Sequence, residues 1–364
     1  MGTGSKKWLF VLPTDSVQGS EHIVKSVATY LYEKQNDCTV IILTRKESLG
    51  WASLENKMNV IYLPFNSYVV GVLILPFYLM FNKIHIDYTF SSQTIINGML
   101  GFSKRLGIIE SGKVILRESN SIFDLLSGYK LKFYSLFYKL GYKGSSMVIC
   151  QTRYMKAQLE KSLPKLSQKL NLKTIPNPFN FDDICKKSGE LSEELQKKSF
   201  IVAAGRLAPA KGFDLLLEAF KLVRIDFPEL HLVILGEGAD REMLTKKAKD
   251  LGMENSVIMP GYVNNVYSYF KEAKACVLSS RIEGFPNVLL QMMSQNNSVV
   301  STLSAGGIDE IPGIYTCAPK DVGGLRNTIT KALNADNDKN KILFKQYLEV
   351  RTLNSFINQI LISI

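Results

Sequence analysis

Four short stretches combine charge, glycine and position in a way that suits phosphate binding. Arg206 follows the apolar run FIVAAG, and Lys211-Gly212 comes five residues later, just ahead of a helical pattern. An arginine fork and a lysine point charge beside a helix N-terminus fit a diphosphate, because side-chain cations and free backbone N–H groups converge on the anion. Gly236-Glu237-Gly238 follows LHLVIL, and its glycines let a ligand approach the backbone closely. SSRIEGFPNVLLQMM, residues 279–293, sets Glu283 on a Gly-Phe-Pro-Asn turn and then opens an apolar helix. Ser304-Ala305-Gly306-Gly307 follows SVVST and precedes a helical start at IDEI. Taken singly, each is ordinary turn chemistry or a solvated charge. Together they occupy corresponding places, one after each of four strand-like runs.

Those runs belong to an alternation of strand-like and helix-like segments that predicts an α/β fold of parallel sheets covered on both faces. In the first half WLFVLP, CTVIILT, KVILRES and SMVICQT read as strands and SEHIVKSVATYLYEKQ as a helix. In the second half FIVAAGRL, LHLVILGEG, SVIMPG and ACVLSS alternate with the helical GFDLLLEAFKLVRIDFP, DREMLTKKAKDLG and NNVYSYFKEA. The series restarts after Pro176, Pro178 and a charged, polar stretch, as a linker would make it do. The expected organisation is one Rossmann-like domain over 1–180, a linker over 181–198, a second Rossmann-like domain over 199–345, and a closing helix over 346–364 that returns to the first. Two doubly wound domains facing across a cleft would turn the carboxyl ends of their strands toward it, where ligands of such sheets bind.

Composition narrows the function classes. At 364 residues, 46% hydrophobic and with a mean hydropathy of +0.03, the chain suits two globular domains rather than a small binding module. Cys38, Cys150, Cys185, Cys276 and Cys317 contain no C-x-x-C pair, and no cleavable signal precedes the first strand, so a reducing, cytoplasmic setting is expected. His22, His85 and His231 have no metal-ligand spacing to one another or to a cysteine, so no metal site is expected.

The net charge of +11 lies wholly in the first half: residues 1–180 carry 22 Lys+Arg against 11 Asp+Glu, and residues 181–364 carry 22 of each. From Leu125 to Leu159 there is no acid, while Lys130, Lys132, Lys139, Lys143, Arg153 and Lys156 alternate with Tyr129, Phe133, Tyr134, Phe137, Tyr138 and Tyr142. This pattern fits a surface helix on anionic lipid headgroups, or a core-facing aromatic stripe with a solvated lysine face. No nucleic-acid-binding motif accompanies it, and nucleic acid is not an expected partner. YVVGVLILPFYLMF, residues 68–81, has Pro76 inside and falls short of the about 20 residues that cross a bilayer. It reads as a buried helix or one that dips into the membrane interface.

AAGRLAPAKGFDLLLEAF, LGEG, MPGYV, SSRIEGFPNVLLQ and GGIDEI, in this order and spacing, resemble the nucleotide-sugar domain of the family-four retaining glycosyltransferases of GT-B fold. QGSEHIV resembles the family's Gly-rich first loop, LRESN its Arg-Glu-bearing segment, and CQTRYMKAQL with TIPNPFN its approach to the hinge. The resemblance covers nearly the whole chain, most closely over 200–312. The short EGFPNVLLQ form is similar to that of enzymes building bacterial O-antigens, lipopolysaccharides, capsules and related surface polysaccharides.

The resemblance implies roles residue by residue. Arg206 and Lys211 would hold the donor diphosphate and neutralise the leaving nucleotide, and Glu283 would sit against the donor sugar, so these three form the implied catalytic group. Gly284, Phe285, Pro286, Asn287 and Val288 would turn the start of a helix toward sugar and phosphate. Gly19, Gly236, Gly238, Gly261 and Tyr262 complete the implied donor site. In the family's E-x7-E pattern a second Glu binds the nucleotide ribose; here that position is Gln291, which either bonds the ribose diol or packs on its helix. A neutral bond there is worth about 0.5–1.5 kcal/mol against roughly 1.5–3 for a charged one. Arg117, Glu118 and Asn120 would lie toward the acceptor, while Glu118 and Glu310 are equally readable as structural. The first loop has Gly19-Ser20 in place of Gly-Gly, and the family's frequent first-domain His after IDYTFSSQT is missing. Retaining enzymes of this class react on one face of the sugar, the leaving phosphate helping to take the acceptor proton, so no side-chain nucleophile is required.

The resulting expectation is a cytoplasmic glycosyltransferase, peripheral to the inner membrane, retaining and metal-independent, with no cofactor beyond its donor. It would move a hexose or N-acetylhexosamine from a nucleotide sugar, a UDP-sugar ahead of a GDP-sugar, to an undecaprenyl-diphosphate-linked glycan in surface polysaccharide synthesis. A metal-dependent GT-A enzyme is the nearest chemical rival, but its Asp-x-Asp motif occurs only as Asp336-Asn337-Asp338, with no apolar strand before it. A nucleotide-sugar epimerase of GT-B fold is a second alternative; it would need acid and base groups on both faces of the sugar. A non-catalytic sugar-nucleotide-binding protein is the third, favoured by Gln291 and the missing His.

Overall fold

The computed structural model describes residues 5–16, 19–46, 49–82, 85–180 and 191–364. The chain divides into two units, the first running to Pro178 and taking back Leu353–Ile364, the second holding Phe179–Thr352.

The first unit is built on seven strands: β1 (Lys7–Thr14), β2 (Asp37–Thr44), β3 (Asn59–Tyr62), β4 (Ile86–Ser91), β5 (Ser111–Glu118), β6 (Met147–Cys150) and β7 (Leu172–Thr174). All pair in parallel, in the order β3-β2-β1-β4-β5-β6-β7. Trp8 to Leu12 in β1 are all buried, the unbroken apolar run of a strand covered on both faces. Alternate residues serve opposite cores. Leu9, Val11, Ile41 and Leu43 pack with helices Tyr68–Asn82, Thr94–Arg105 and Gly128–Gly141. Trp8, Phe10, Val40 and Ile42 pack with helix Ser20–Glu33 and the last helix, Leu353–Ser363. Phe356, Ile357 and Ile360 are buried in that second core, each contributing roughly 1.5–3 kcal/mol, which is why the C-terminal helix belongs to this unit.

The second unit has six parallel strands: β8 (Phe200–Ala204), β9 (His231–Leu235), β10 (Val257–Gly261), β11 (Ala275–Leu278), β12 (Val299–Thr302) and β13 (Tyr315–Cys317). Their order is β10-β9-β8-β11-β12-β13. Both sheets therefore repeat the doubly wound order 3-2-1-4-5-6, in which the direction of strand addition reverses between the first and fourth strands. In the second unit that switch point lies between β8 and β11, which pair directly.

The boundaries differ from those expected. Residues 181–190 of the expected linker lie outside the described residues. Leu191 and Leu195 from its remainder are buried in the second unit's core. Helix Asp338–Glu349 also stays with the second unit, because Phe344 and Leu348 fill the same core; only from Leu353 does the chain rejoin the first. Cys38, Cys150, Cys276 and Cys317 are free thiols, while Cys185 falls outside the described residues.

The two unusual segments of the first half are both helices on one side of the first sheet. Helix Tyr68–Asn82 buries Gly71, Val72, Leu75, Pro76 and Leu79 and leaves its other side exposed. Among the described residues no helix is long and apolar enough to cross a membrane. Helix Gly128–Gly141 buries Tyr138 and exposes Tyr129 and Phe133, so its aromatic stripe is divided between core and surface. Glycines bring it close to helix Thr94–Arg105: a Cβ on Gly141 would stand 1.7 Å from the Gly98 carbonyl oxygen.

Candidate active site

The switch point of the second sheet is where the charged loops meet. After β8 the chain passes Arg206 and makes a short 3-10 turn, Pro209–Lys211, before Gly212 starts helix Phe213–Asp226. Gly212 has φ of +64°, and a Cβ there would come within 2.3 Å of the Ser279 carbonyl oxygen. Only glycine lets this helix start lie so close to the end of β11. Ser279 Oγ in turn donates to the Lys211 carbonyl at 2.9 Å.

Lys211 and Glu283 converge there. Lys211 Nζ lies 2.5 Å from Glu283 Oε1, and Ser280 Oγ donates to the same oxygen at 2.7 Å. The Glu283 N–H donates to the Ser304 carbonyl at 2.8 Å, tying the β11 loop to the loop after β12. Ser304 Oγ is buried without a hydrogen-bond partner among the described residues. Arg206 is exposed, and its guanidinium has no partner among the described residues. An exposed guanidinium and a lysine paired with one carboxylate, beside the start of a fourteen-residue helix, can together receive a diphosphate.

The glycine loops beside them are sterically committed. A Cβ on Gly236 would stand 2.0 Å from the Gly205 carbonyl oxygen, and one on Gly238 2.2 Å from that of Leu207. Gly261, at φ +91°, closes β10 against the Glu237 carboxylate, and Tyr262 beyond it is exposed. Past Glu283 and Gly284, Phe285 is buried, Pro286 precedes the helix Asn287–Gln295, and Asn287 and Val288 form its first turn. Gln291 Nε2 reaches the Tyr267 hydroxyl at 3.4 Å, a long and weak bond.

Two features escaped the reading of the sequence. Arg281 forks onto Asp214, Nη1 to Oδ1 at 2.7 Å and Nη2 to Oδ2 at 2.6 Å, while its backbone N–H donates to the Ala210 carbonyl at 2.7 Å. Burial alone would push the Asp214 carboxyl up, but the hydrogen bonds and charge of Arg281 outweigh it and hold the group below its usual range. Arg351 stacks over Tyr347 and Phe285, bracing the loop from behind, and burial lowers its pKa. Nothing local in SSRIEG pairs Arg281 with a residue 67 positions earlier. One expected element is absent: residues 308–311 form a turn closed by an Ile311 N–H to Ile308 carbonyl bond, not a helix, because Gly306-Gly307 and Pro312-Gly313 bracket only four residues.

The remaining expected site residues belong to the first unit. Gly19, at φ +56°, caps helix Ser20–Glu33, and a Cβ there would meet nothing within 4 Å, so the backbone faces open space. Arg117 and Glu118, expected toward the acceptor, are instead 1% and 2% exposed. Arg117 donates to Ser92 and Asn177; Glu118 accepts from the hydroxyls of Tyr138 and Tyr142 and from Asn97. Burial pushes the Glu118 carboxyl up and brings the Arg117 guanidinium down to about 10. These two hold helix Gly128–Gly141 and the segment around Asn177 to the sheet end, and a surface contact is closed to them; Asn120 alone of the three is exposed. No group of three or more potential metal ligands occurs among the described residues.

Residues 189–348 match the family model described as glycosyl transferases group 1. The match takes in nearly all of the second unit, which is thus similar to a group 1 glycosyl transferase domain. An uncharacterized glycosyltransferase of Methanocaldococcus jannaschii is 32% identical over 199 residues, covering 53% of this chain and 48% of that protein. The N-acetylgalactosamine-N,N'-diacetylbacillosaminyl-diphospho-undecaprenol 4-alpha-N-acetylgalactosaminyltransferase of Campylobacter jejuni is 34% identical over 137 residues, 38% of this chain and 36% of that enzyme. The chain thus spans about half of the first relative's length and about a third of the second's. Anabaena HepE, solved in complex with UDP, superposes with a TM-score of 0.79 at 17% identity, covering 98% of this chain and 100% of HepE. That likeness shows the fold alone: two Rossmann-like units of the GT-B class. The transferase domain resembles those of surface-polysaccharide enzymes.

Proposed function

We propose that the protein is a retaining glycosyltransferase that binds a nucleotide sugar at the β8/β11 switch point and passes the sugar to a lipid-linked glycan. The observation that carries this is the convergence of Lys211 and Glu283 from neighbouring strand ends, with Arg206 exposed on the same loop as Lys211. A donor diphosphate would take Lys211 and Arg206, while Glu283 turns to the sugar hydroxyls. The bond from the anomeric carbon to the diphosphate breaks and the bond to the acceptor oxygen forms on the same face. The acceptor proton passes to the departing phosphate, and the two cations take up the charge that develops there. No step calls for a metal ion.

Solved neighbours hold UDP and UDP-glucose, which favours a UDP-sugar, with a GDP-sugar as the alternative, and a hexosyl or N-acetylhexosaminyl group as cargo. The diphospho-undecaprenol acceptor in the name of the Campylobacter relative supports an undecaprenyl-diphosphate-linked glycan, and relatives named for lipopolysaccharide glycosyl transfer support a place in surface polysaccharide synthesis. Such an acceptor would bring the enzyme to the cytoplasmic face of the inner membrane as a peripheral protein. Epimerase and binding-only readings are not favoured, since the family model and the curated relatives are named for glycosyl transfer.

The test is a thermal-shift panel of UDP, GDP, ADP and CMP with magnesium or EDTA, followed by hydrolysis of the sugar nucleotides carrying the best base. Stabilisation by one diphosphate that ignores EDTA supports the proposal. No shift with any nucleotide, together with no hydrolysis, overturns it.

A further inference from the structure

Two helices of the first unit present an apolar and basic surface that its own core leaves uncovered. Helix Tyr68–Asn82 contains no charged residue, and while one side is buried, Val69, Leu73, Phe77 and Phe81 form an i, i+4 stripe that is 63%, 59%, 59% and 77% exposed. Helix Gly128–Gly141 carries a second stripe, with Tyr129 and Phe133 exposed by 78% and 53%, followed by Leu136 and Leu140. Both helices pack on the same core and flank helix Thr94–Arg105; Tyr68 at the start of the first bonds Gln93 and lies near Tyr134 of the second. Lys130, Lys132, Lys139 and Lys143 are exposed along the second helix and the turn after it, within a stretch that has no acid from Leu125 to Leu159.

Scattered apolar side chains on a surface need no explanation, but two apolar stripes on helices of one core, the second edged by lysines, do. The occupant must be apolar at the centre and anionic at the edge. A bilayer of anionic lipid has that layering: headgroup phosphates meet the lysines, and the acyl boundary a few ångströms deeper meets the aromatic and aliphatic side chains. The first helix is too short to span, and its buried side holds it to the core, so it can only lie in the membrane plane with its outer edge immersed.

We propose that these two helices form a membrane-docking face in which the stripe Val69-Leu73-Phe77-Phe81 enters the acyl boundary and the lysines of the second helix bind anionic headgroups. The inference rests on the reading that the enzyme works at a membrane and assigns the contact to specific side chains. Each basic residue near an anionic surface is worth about fivefold in binding, so reversing three of them lowers it by at least roughly 10²-fold.

The experiment is flotation with vesicles of phosphatidylglycerol and phosphatidylethanolamine, against vesicles of phosphatidylcholine alone, using the full chain. Sedimentation velocity and a UDP thermal shift are run on the same samples. Expected are flotation with anionic vesicles only, its loss in Lys130→Glu/Lys132→Glu/Lys139→Glu, and release of Leu73→Glu/Phe77→Glu by salt that leaves the wild type bound. Both variants should keep the UDP shift, since their changes lie in exposed side chains of the other unit. The proposal is overturned by wild-type protein that does not float, by a Leu73→Glu/Phe77→Glu variant that floats as well as wild type in high salt, or by a wild-type dimer that this variant dissolves. Failure of flotation with the UDP shift intact would remove the docking face and leave the transferase reading standing.

Discussion

Lys211 Nζ and Glu283 Oε1 lie 2.5 Å apart although they arise from loops after different strands, and among the described residues each is the other's only ion-pair partner. In the free protein the cation proposed to take the phosphate and the carboxylate proposed to face the sugar neutralise one another. Both side chains are partly buried, so neither charge is fully relieved by water. A donor that brings its own phosphate and hydroxyls replaces both halves of the pair at once, which favours a complete nucleotide sugar over either fragment.

From that exchange, Glu283→Ala should lower transfer by at least about 10²-fold, the scale seen when one group that stabilises a transition state is removed. UDP affinity should hold or rise, because Lys211 loses its internal competitor. Lys211→Ala should weaken UDP binding as well as turnover. Transfer rates and UDP titration on variants checked by circular dichroism decide it; wild-type turnover by folded Glu283→Ala would sink the assignment.

The Arg281–Asp214 fork should set the pitch of the two loops without touching the reacting atoms. Arg281→Lys keeps the charge but loses the planar fork, and is expected to raise the donor KM several-fold. The pair also has a pH signature. Arg281 holds the folded Asp214 pKa below its unfolded value of about 3.9, so its stabilisation is complete above that value and is lost as pH falls through the lower folded one. Thermal melts from about pH 7 to about pH 3 should therefore fall more steeply for wild type than for Asp214→Asn. Equal acid slopes would show that the fork adds nothing to stability.

The strand and helix alternation and the loops bearing Arg206, Lys211, Gly236 and Glu283 were legible because each is a local pattern: apolar run, turn residues, charge. The first unit's polar core was not. Arg117 and Glu118 read as cleft residues because charge is usually exposed, yet Tyr138, Tyr142, Asn97 and Asn177 surround them with hydrogen bonds from as many as 60 residues away. The helix expected at 308–311 failed because its apolar spacing carried no length, and glycines on one side with Pro312 on the other left room only for a turn. The ambiguity over the lysine-aromatic segment had a physical source too: helix Gly128–Gly141 both packs and protrudes, so neither single reading was sufficient.

Gly212 offers a test of the contact between the β8 and β11 loops, since it starts its helix in the left-handed region, at φ +64° and ψ +26°. An L-residue there costs about 1–2 kcal/mol. At Gly212 a Cβ also meets the Ser279 carbonyl at 2.3 Å. Gly212→Ala should therefore lower stability by clearly more than that backbone cost and should weaken UDP binding, as read by thermal melts and UDP titration. A loss no larger than the backbone cost, with UDP binding unchanged, would mean that the contact between the β8 and β11 loops is looser than this geometry requires.

Gln291 allows the donor site to be improved as well as damaged. Among the described residues its amide makes only a long bond to the Tyr267 hydroxyl, so a glutamate of the same reach displaces little when it enters. A carboxylate accepting from two ribose hydroxyls gains about 1 kcal/mol over the amide, or roughly fivefold in affinity. Gln291→Glu is thus expected to tighten UDP severalfold while leaving the base preference unchanged, as read by titration calorimetry with UDP and with uracil-free diphosphate. The gain must be absent with inorganic pyrophosphate, which has no ribose. If UDP affinity stays level or drops, Gln291 is a packing residue of helix Asn287–Gln295 and the ribose is held elsewhere.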